Sequence, residues 1–499
     1  MQRNRGRVVG LLVFLMCLWG LCTASEAHDL QNEFRAETGI SPEMGQVIDA
    51  HRLSIVEKIR KNKIPGMAVA LVDRDRVLWA AGFGYTDTDK KTPVTPETVF
   101  SIQSMSKTFT ATAVLFAVQD GLLDLDAPIT TYLPEFTVQS RFEEHPERRM
   151  TLRHLLSHTA GFTHEAPVGN NFDTPSPSFE EHVRSISQTW LKFPVGAKVS
   201  YSNLGVDLAG YALQRVSKKP LAQYLREKVF DPLSMPNSSM DMDAIKANAN
   251  RAIGHTSGIK RIPVEVPMVA AGGVYANAAE LCRFVQFHLN RGRVGGIRLL
   301  DEQLLDRMYG PPKGLRLAIG RGEKHDSYHL LHGGGGFGFL SLMIWYPEYG
   351  IGAVELTDCA DHAIQGQICH QLLDEILQKG LVHKTAETRP EVASSASQPP
   401  AGPEPPFTPT PYQAEWDKYT GIYLAIWSGY EFTALSRLGR ALGKAGPSWK
   451  VQQKNGHLNL GDDALEEYQT GLFFTPSGEA LDFRTSPPTF RNIKLEKTK

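Results

Sequence analysis

Ser104-Met105-Ser106-Lys107 pairs a hydroxyl with an amine at a spacing that can do chemistry. A serine hydroxyl attacks poorly at neutral pH unless a neighbouring group takes its proton. The run Thr108–Val118 is small and apolar, without Gly or Pro, and predicts a helix. Positions i and i+3 share a helix face, so the Ser104 hydroxyl should lie beside the Lys107 amine at the helix start. A buried lysine can act as the base, because desolvation disfavours its charged form. The helix start also offers a backbone N–H to an oxyanion. The pattern has a second copy, Ser257-Gly258-Ile259-Lys260, which runs into Arg261-Ile262-Pro263. No helix follows it, and it reads as a polar loop.

Two further motifs follow. Tyr201-Ser202-Asn203 comes just after Phe193-Pro194-Val195-Gly196. A loop tyrosine can relay protons when a cation stabilises its phenolate. Asn203 could hydrogen-bond Lys107 and a substrate amide. The similar Tyr275-Ala276-Asn277 follows Ala271-Gly272-Gly273-Val274, and Tyr275 there reads as a packing residue before a helix. The third motif, His332-Gly333-Gly334-Gly335-Gly336-Phe337-Gly338, stands directly before a strand-like run, Phe339–Tyr346. Glycines let a backbone edge approach a substrate with its N–H groups free, so His332, Gly334 and Gly335 are expected to wall the site. His158 is expected to be structural. The cysteines lack metal-ligand spacing, and neither a metal nor a cofactor is expected.

Strand-like runs at both ends of one long segment must hold these motifs. Gly66–Val72 and Val77–Gly84 form an early hairpin around Asp73-Arg74-Asp75-Arg76. Phe339–Tyr346 and Gly350–Leu356 form a late one. A helix-like stretch at Gly45–Lys61 opens the segment, and an amphipathic one at Ala363–Gln378 closes it. The expected class is therefore α+β, an antiparallel sheet with flanking helices and a helical subdomain between its halves. This domain spans residues 33–382. A Pro-rich linker, 385–411, leads to a small all-β barrel or meander at 412–499, with short strands at Gly421–Ser428, Trp449–Gln453 and Gly471–Thr475.

In this order the motifs resemble the serine β-lactamase and penicillin-binding-protein superfamily, whose fold is a DD-peptidase-like sheet with helices. The nearest likeness is the class C β-lactamase-like group of D-peptidases and esterases. Leu152–Phe162, Tyr201–Gly210 and Ala271–Leu281 extend the resemblance, which runs from about Ile64 to Leu373. It implies that Ser104 is acylated, that Lys107 and Tyr201 move its proton, and that Asn203 binds and orients. It also implies an oxyanion hole made by the N–H groups of Ser104 and Gly335. One residue departs from the pattern: β-lactamases of this class usually carry lysine where His332 stands. If His332 held a substrate carboxylate by its charge, that affinity should weaken above about pH 6.5. The implied activity is hydrolysis of small esters or D-amino-acid peptides and amides. β-Lactam hydrolysis, or non-catalytic penicillin binding or sensing, are the alternatives. The C-terminal segment resembles lipocalin-like accessory domains.

Composition agrees with a soluble globular chain. Of 499 residues, 41% are hydrophobic and 21% charged, and 53 basic residues balance 54 acidic ones. Such a balance gives no field for nucleic acid, leaving a small-molecule or peptide substrate as the expected partner. Oligomeric state is not readable. Arg3, Arg5 and Arg7, an apolar run Val8–Cys22 and small residues to Ala27 read as a signal peptide, residues 1–27, cut after Ala24 or Ala27. Export to the periplasm or medium is expected, with membrane contact only if that segment stays uncleaved. Beyond it lie Cys282, Cys359 and Cys369; a Cys359–Cys369 bridge and free thiols are both open.

Overall fold

The computed structural model describes residues 33–36, 38–169, 177–256, 269–312, 314–336, 338–385, 406–425, 448–484, 489–490 and 493–497. The signal segment, most of the Pro-rich linker and the second serine-lysine copy at 257–260 lie outside the described residues.

The first domain is built on one antiparallel sheet. Its strands are β1 (Glu33–Arg35), β2 (Gly66–Asp73), β3 (Val77–Asp87), β4 (Gly320–Lys324), β5 (Ser327–Gly336), β6 (Phe339–Tyr346) and β7 (Ile351–Thr357). They lie in the order β1-β3-β2-β7-β6-β5-β4, with Thr92–Pro93 added beside β3. The early and late hairpins thus meet where β2 pairs with β7, Ala70 opposite Val354. Side chains alternate across a strand, and β2 uses both faces for core. Ala68, Ala70 and Val72 join the cluster of the helical subdomain. Met67, Val69 and Leu71 join a second cluster under two helices, α1 (Pro42–Asn62) and, at the other end of the domain, Gln367–Gln378.

Helix α1 starts before the expected Gly45, because Ser41 accepts the Met44 N–H and Pro42 fills the first turn. Between the hairpins lie α2 (Ser106–Gln119), α3 (Asn203–Ser217) and α4 (Ala278–Leu289). The closing helix, α5, begins at Gln367 rather than Ala363. Gly366, at a left-handed φ of 75°, turns the chain there and releases Gln365 toward the site. Two points that the sequence leaves open are decided by the fold. The run His332–Gly336 is itself the end of strand β5 and pairs with β6, His332 opposite Met343 and Gly336 opposite Phe339. Cys359 and Cys369 are unbridged, and with Cys282 they are free and buried.

The C-terminal segment forms a nine-stranded antiparallel sheet, nearly in sequence order as a meander. Its strands include Gly421–Ala425, Ser448–Lys454, Leu472–Phe474 and Ala480–Asp482. Trp416, Tyr423, Leu458, Leu465, Phe473 and Leu481 make its core.

Candidate active site

Ser104 sits in a tight 3-10 turn, Gln103–Met105, that feeds into α2. Gln103 adopts a left-handed φ of 50°, unusual for a residue with a Cβ. Surrounding bonds hold the turn in place. Ser106 Oγ–H donates to Gln103 O at 2.6 Å, and Val274 N–H donates to Ser106 Oγ at 3.0 Å. Gln103 Nε2 donates to Ser101 Oγ at 2.8 Å.

Lys107, one turn on, is fully buried. Its Nζ donates to Ser104 Oγ at 3.0 Å and to Ala271 O at 2.7 Å. The peptide that accepts it is fixed in turn. Ala270 and Ala271 N–H both donate to Asp207 Oδ1 at 2.9 Å, and Thr110 Oγ1 donates to Ala270 O at 2.7 Å. Asp207 is buried on α3, and its other oxygen meets His182 Nε2 at 3.1 Å. Burial works against the His182 charge, but the Asp207 carboxylate outweighs it and raises the imidazole pKa.

Tyr201 closes the group from a loop 97 residues away. Its O–H donates to Ser104 Oγ at 2.9 Å, and Lys107 Nζ lies 5.0 Å from its ring centroid. His158 and His164 lie against the same ring, with centroids at 4.6 and 5.7 Å. His158 Nδ1 accepts the Ser202 N–H at 3.3 Å. Burial, then the Lys107 charge, push its pKa down to about 3, so it packs as a neutral ring. Ser202 caps α3 through Leu204 N–H and donates its own hydroxyl to Thr163 O at 2.6 Å. Asn203 is buried and donates Nδ2 to Glu165 Oε1 at 3.3 Å, an oxygen that His164 Nδ1 also reaches at 2.7 Å.

The glycine strand makes the facing wall. The ladder between β5 and β4 ends at Leu331, so among the described residues the outer edge of His332–Gly336 has no strand partner. Gly335 is exposed there. Gly334 packs against the turn before Ser104, where a Cβ would stand 2.1 Å from Ile102 O. Only glycine permits that approach. Ser341 Oγ–H donates to the same Ile102 O at 2.8 Å, and Gln365 Nε2 donates to Gly334 O at 2.8 Å and to Ser341 O at 3.0 Å. His332 Nδ1–H donates to Gly333 O at 2.7 Å. Burial, then Lys107, lower its pKa to about 4. In the free protein His332 is therefore neutral near pH 7, and the titration expected near 6.5 is displaced.

The sequence-derived residues Ser104, Lys107, Tyr201, Asn203, His332, Gly334 and Gly335 thus gather about one cleft. Tyr275 does not: it is buried and packs edge-on against Phe339. Sequence reasoning missed Asp207, Gln365, His164 and Glu165, whose types carry no signal without their neighbours. Among the described residues no three His, Cys, Asp or Glu side chains cluster as a metal site.

Known proteins share the family and the fold. Residues 52–365 match the family model described as Beta-lactamase. Protein flp of Staphylococcus aureus (strain COL) is 24% identical over 350 residues, covering 69% of this chain and 68% of flp. The octameric penicillin-binding protein homologue from Pyrococcus abyssi superposes with a TM-score of 0.58 at 18% identity, covering 89% of this chain and 95% of that one. D-alanine carboxypeptidase AmpC from Burkholderia cenocepacia superposes with a TM-score of 0.55 at 21% identity, over 66% of this chain and 99% of that one.

Proposed function

The chain belongs to the β-lactamase family of serine hydrolases, and from that premise we propose that it transfers acyl groups to water through an ester on Ser104. One observation carries the reading: Ser104 Oγ lies 3.0 Å from Lys107 Nζ and 2.9 Å from Tyr201 O–H. The nucleophile therefore touches both proton carriers at once, at the reach that general catalysis needs. The lysine–tyrosine pair takes the Ser104 proton as Oγ bonds to the substrate carbonyl carbon. The resulting oxyanion is held by the N–H groups of Ser104 and Gly335, each such donor contributing about 3 kcal/mol to the barrier reduction. The pair returns the proton to the leaving alcohol or amine as its bond to carbon breaks. Water then repeats the sequence and frees the acid and Ser104.

The substrates we propose are small esters and D-amino-acid peptides or amides. The relative titled a D-alanine carboxypeptidase supports the peptide class. A neutral His332, where a permanent cation would suit a carboxylate, favours substrates without an anionic group at that wall. It also makes β-lactam turnover the weaker activity. The basic-then-apolar N-terminus supports an exported enzyme, periplasmic or secreted.

The test is covalent. A fluorophosphonate probe should label Ser104, and Ser104→Ala should lose both labelling and ester turnover. Labelling of another residue, or an active alanine variant, would end the proposal. Rates on a p-nitrophenyl ester, a D-amino-acid amide and nitrocefin then rank the substrate classes. A stable adduct without turnover on any of them would instead favour a penicillin-binding sensor.

A further inference from the structure

The C-terminal domain reaches the back of the active site through one residue. Glu479 stands at the hairpin between Leu472–Phe474 and Ala480–Asp482, and its side chain is only 6% exposed against the first domain. Its Oε1 pairs with Lys192 Nζ at 2.7 Å, and its Oε2 accepts the Thr163 hydroxyl at 2.9 Å. Both partners lead straight to Tyr201. Lys192 Nζ donates on to Ser200 Oγ at 3.0 Å. Thr163 O accepts the Ser202 hydroxyl at 2.6 Å. Each carboxylate oxygen is thus linked to one of the two serines that flank the catalytic phenol.

The hairpin is shaped for this contact. Thr475 N–H donates to Glu479 O at 3.0 Å, and Glu479 N–H donates to Thr475 Oγ1 at 3.1 Å, which closes the turn. Gly478 has a φ of 80°, and a Cβ there would stand 2.2 Å from Lys192 O, so only glycine lets the tip in. Around it the domains dock through Trp190, which meets Tyr468 and Phe474 edge-on at 5.4 and 5.6 Å. Arg141 also docks there, bonded to Glu466 at 2.5 Å. The Lys192 side chain is 15% exposed, and a buried ammonium without a counter-charge is costly. A carboxylate at Glu479 answers it and fixes its direction.

We propose that Glu479 is a positioning residue for Tyr201, and that the C-terminal domain is therefore a structural part of the active site. The inference rests on Ser104 and Tyr201 acting as proposed above. Removing the charge should let the Ser200–Ser202 segment shift. Misplacing a catalytic group by about 1 Å costs about 10²-fold in rate.

The experiment uses the full chain, with rates normalised to sites titrated by fluorophosphonate so that unfolded enzyme does not count. Glu479→Gln should lower kcat at least about tenfold on a p-nitrophenyl ester with KM within about threefold, because the phenol moves protons rather than binding substrate. Glu466→Gln, which breaks the interdomain pair with Arg141 instead, should keep kcat within about threefold of wild type. Equal kcat values for the two variants would overturn the inference. Thr163→Val removes one bond without uncovering a charge and serves if Glu479→Gln folds poorly: a several-fold loss of kcat supports the inference, and an unchanged kcat overturns it. Turnover surviving in Ser104→Ala would overturn the acyl-enzyme reading beneath it. An inactive Ser104→Ala beside an unimpaired Glu479→Gln would overturn this inference alone.

Discussion

A single methyl group at Gly334 should disable the enzyme, while the same methyl at Gly335 should not. At Gly334 the added Cβ would fall 2.1 Å from Ile102 O, 2.5 Å from Ser341 Oγ and 3.0 Å from Gln103 Cβ. Comfortable contact needs about 3.5 Å, so strand and turn must part by more than about 1 Å. Neither side yields easily. Ile102 O already accepts from Met105 N–H at 3.2 Å and from Ser341 Oγ–H at 2.8 Å. Gly334 O is held from behind by Gln365. The displacement therefore passes into the turn that carries Ser104. A shift of about 1 Å costs about 10²-fold, or about 2.7 kcal/mol of barrier at 1.36 kcal/mol per decade. Overpacking should also lower stability by about 1–3 kcal/mol. At Gly335 the Cβ meets only Leu340 Cδ2, at 3.0 Å, the movable end of a side chain, and the backbone N–H is kept. Gly335→Ala should stay within about threefold of wild type. Ester hydrolysis per titrated site, with a thermal melt for each variant, decides the matter. Gly334→Ala at wild-type kcat/KM, or the two alanines equally impaired, would refute the packing argument.

Tyr201→Phe deletes the hydroxyl 2.9 Å from Ser104 Oγ but keeps the ring between His158 and His164. General acid–base groups contribute about 10²–10⁴-fold, so kcat should fall about 10³-fold. Tyr201 is 41% exposed, so the melting temperature should barely move; a variant within tenfold of wild type would remove the phenol from the proton path. His332 offers a pH test. Its pKa is lowered to about 4, so it gains charge only as pH falls toward 4 and is already neutral from pH 6 upward. KM for a carboxylate-bearing ester should therefore be flat from pH 6 to 8 and parallel to that of His332→Gln. A gap between the two that widens as pH falls from 8 to 6 would show a charged imidazole instead.

Local patterns were legible in the sequence wherever one element carried them. The strand Phe339–Tyr346 is legible residue for residue, because a nearly continuous apolar run is bounded by a glycine run before it and Pro347-Glu348-Tyr349-Gly350 after it. Ser104 and Lys107 were found because three positions on one chain set their proximity. Their geometry was read less well. A left-handed Gln103 and a 3-10 turn precede the helix, and neither follows from the propensities of those residues. The glycine run reads in the sequence as a wall directly before a strand, and the resemblance puts Gly335 on a strand edge, but glycine gives no strand signal of its own. In the protein it is strand, held by pairing to β6 and by Gln365, a residue 31 positions away. The expected first turn of the last helix failed for the same reason, since Gly366 and the demand for Gln365 at the site override its periodicity. Glu479 was invisible: a glutamate in a surface-like turn gains its meaning only when another domain supplies Lys192 and Thr163.

In the proposed mechanism, electrostatics keeps the neighbouring histidines from competing with the Lys107 amine. Two imidazoles, His158 and His332, lie close enough to Lys107 for its charge to lower both pKa values, and burial lowers them further, to about 3 and about 4. Were either protonated at neutral pH, it would repel the lysine and offer a competing donor to Ser104. Their burial removes that possibility near neutral pH. Asp207 is buried and linked to Lys107 through residue Ala271, whose N–H it accepts and whose carbonyl, in the following peptide group, accepts from Lys107. A carbonyl oxygen there orients the amine without setting a full charge against it. The carboxylates of Asp207 and Glu479 meet His182 and Lys192 one layer behind the reacting atoms.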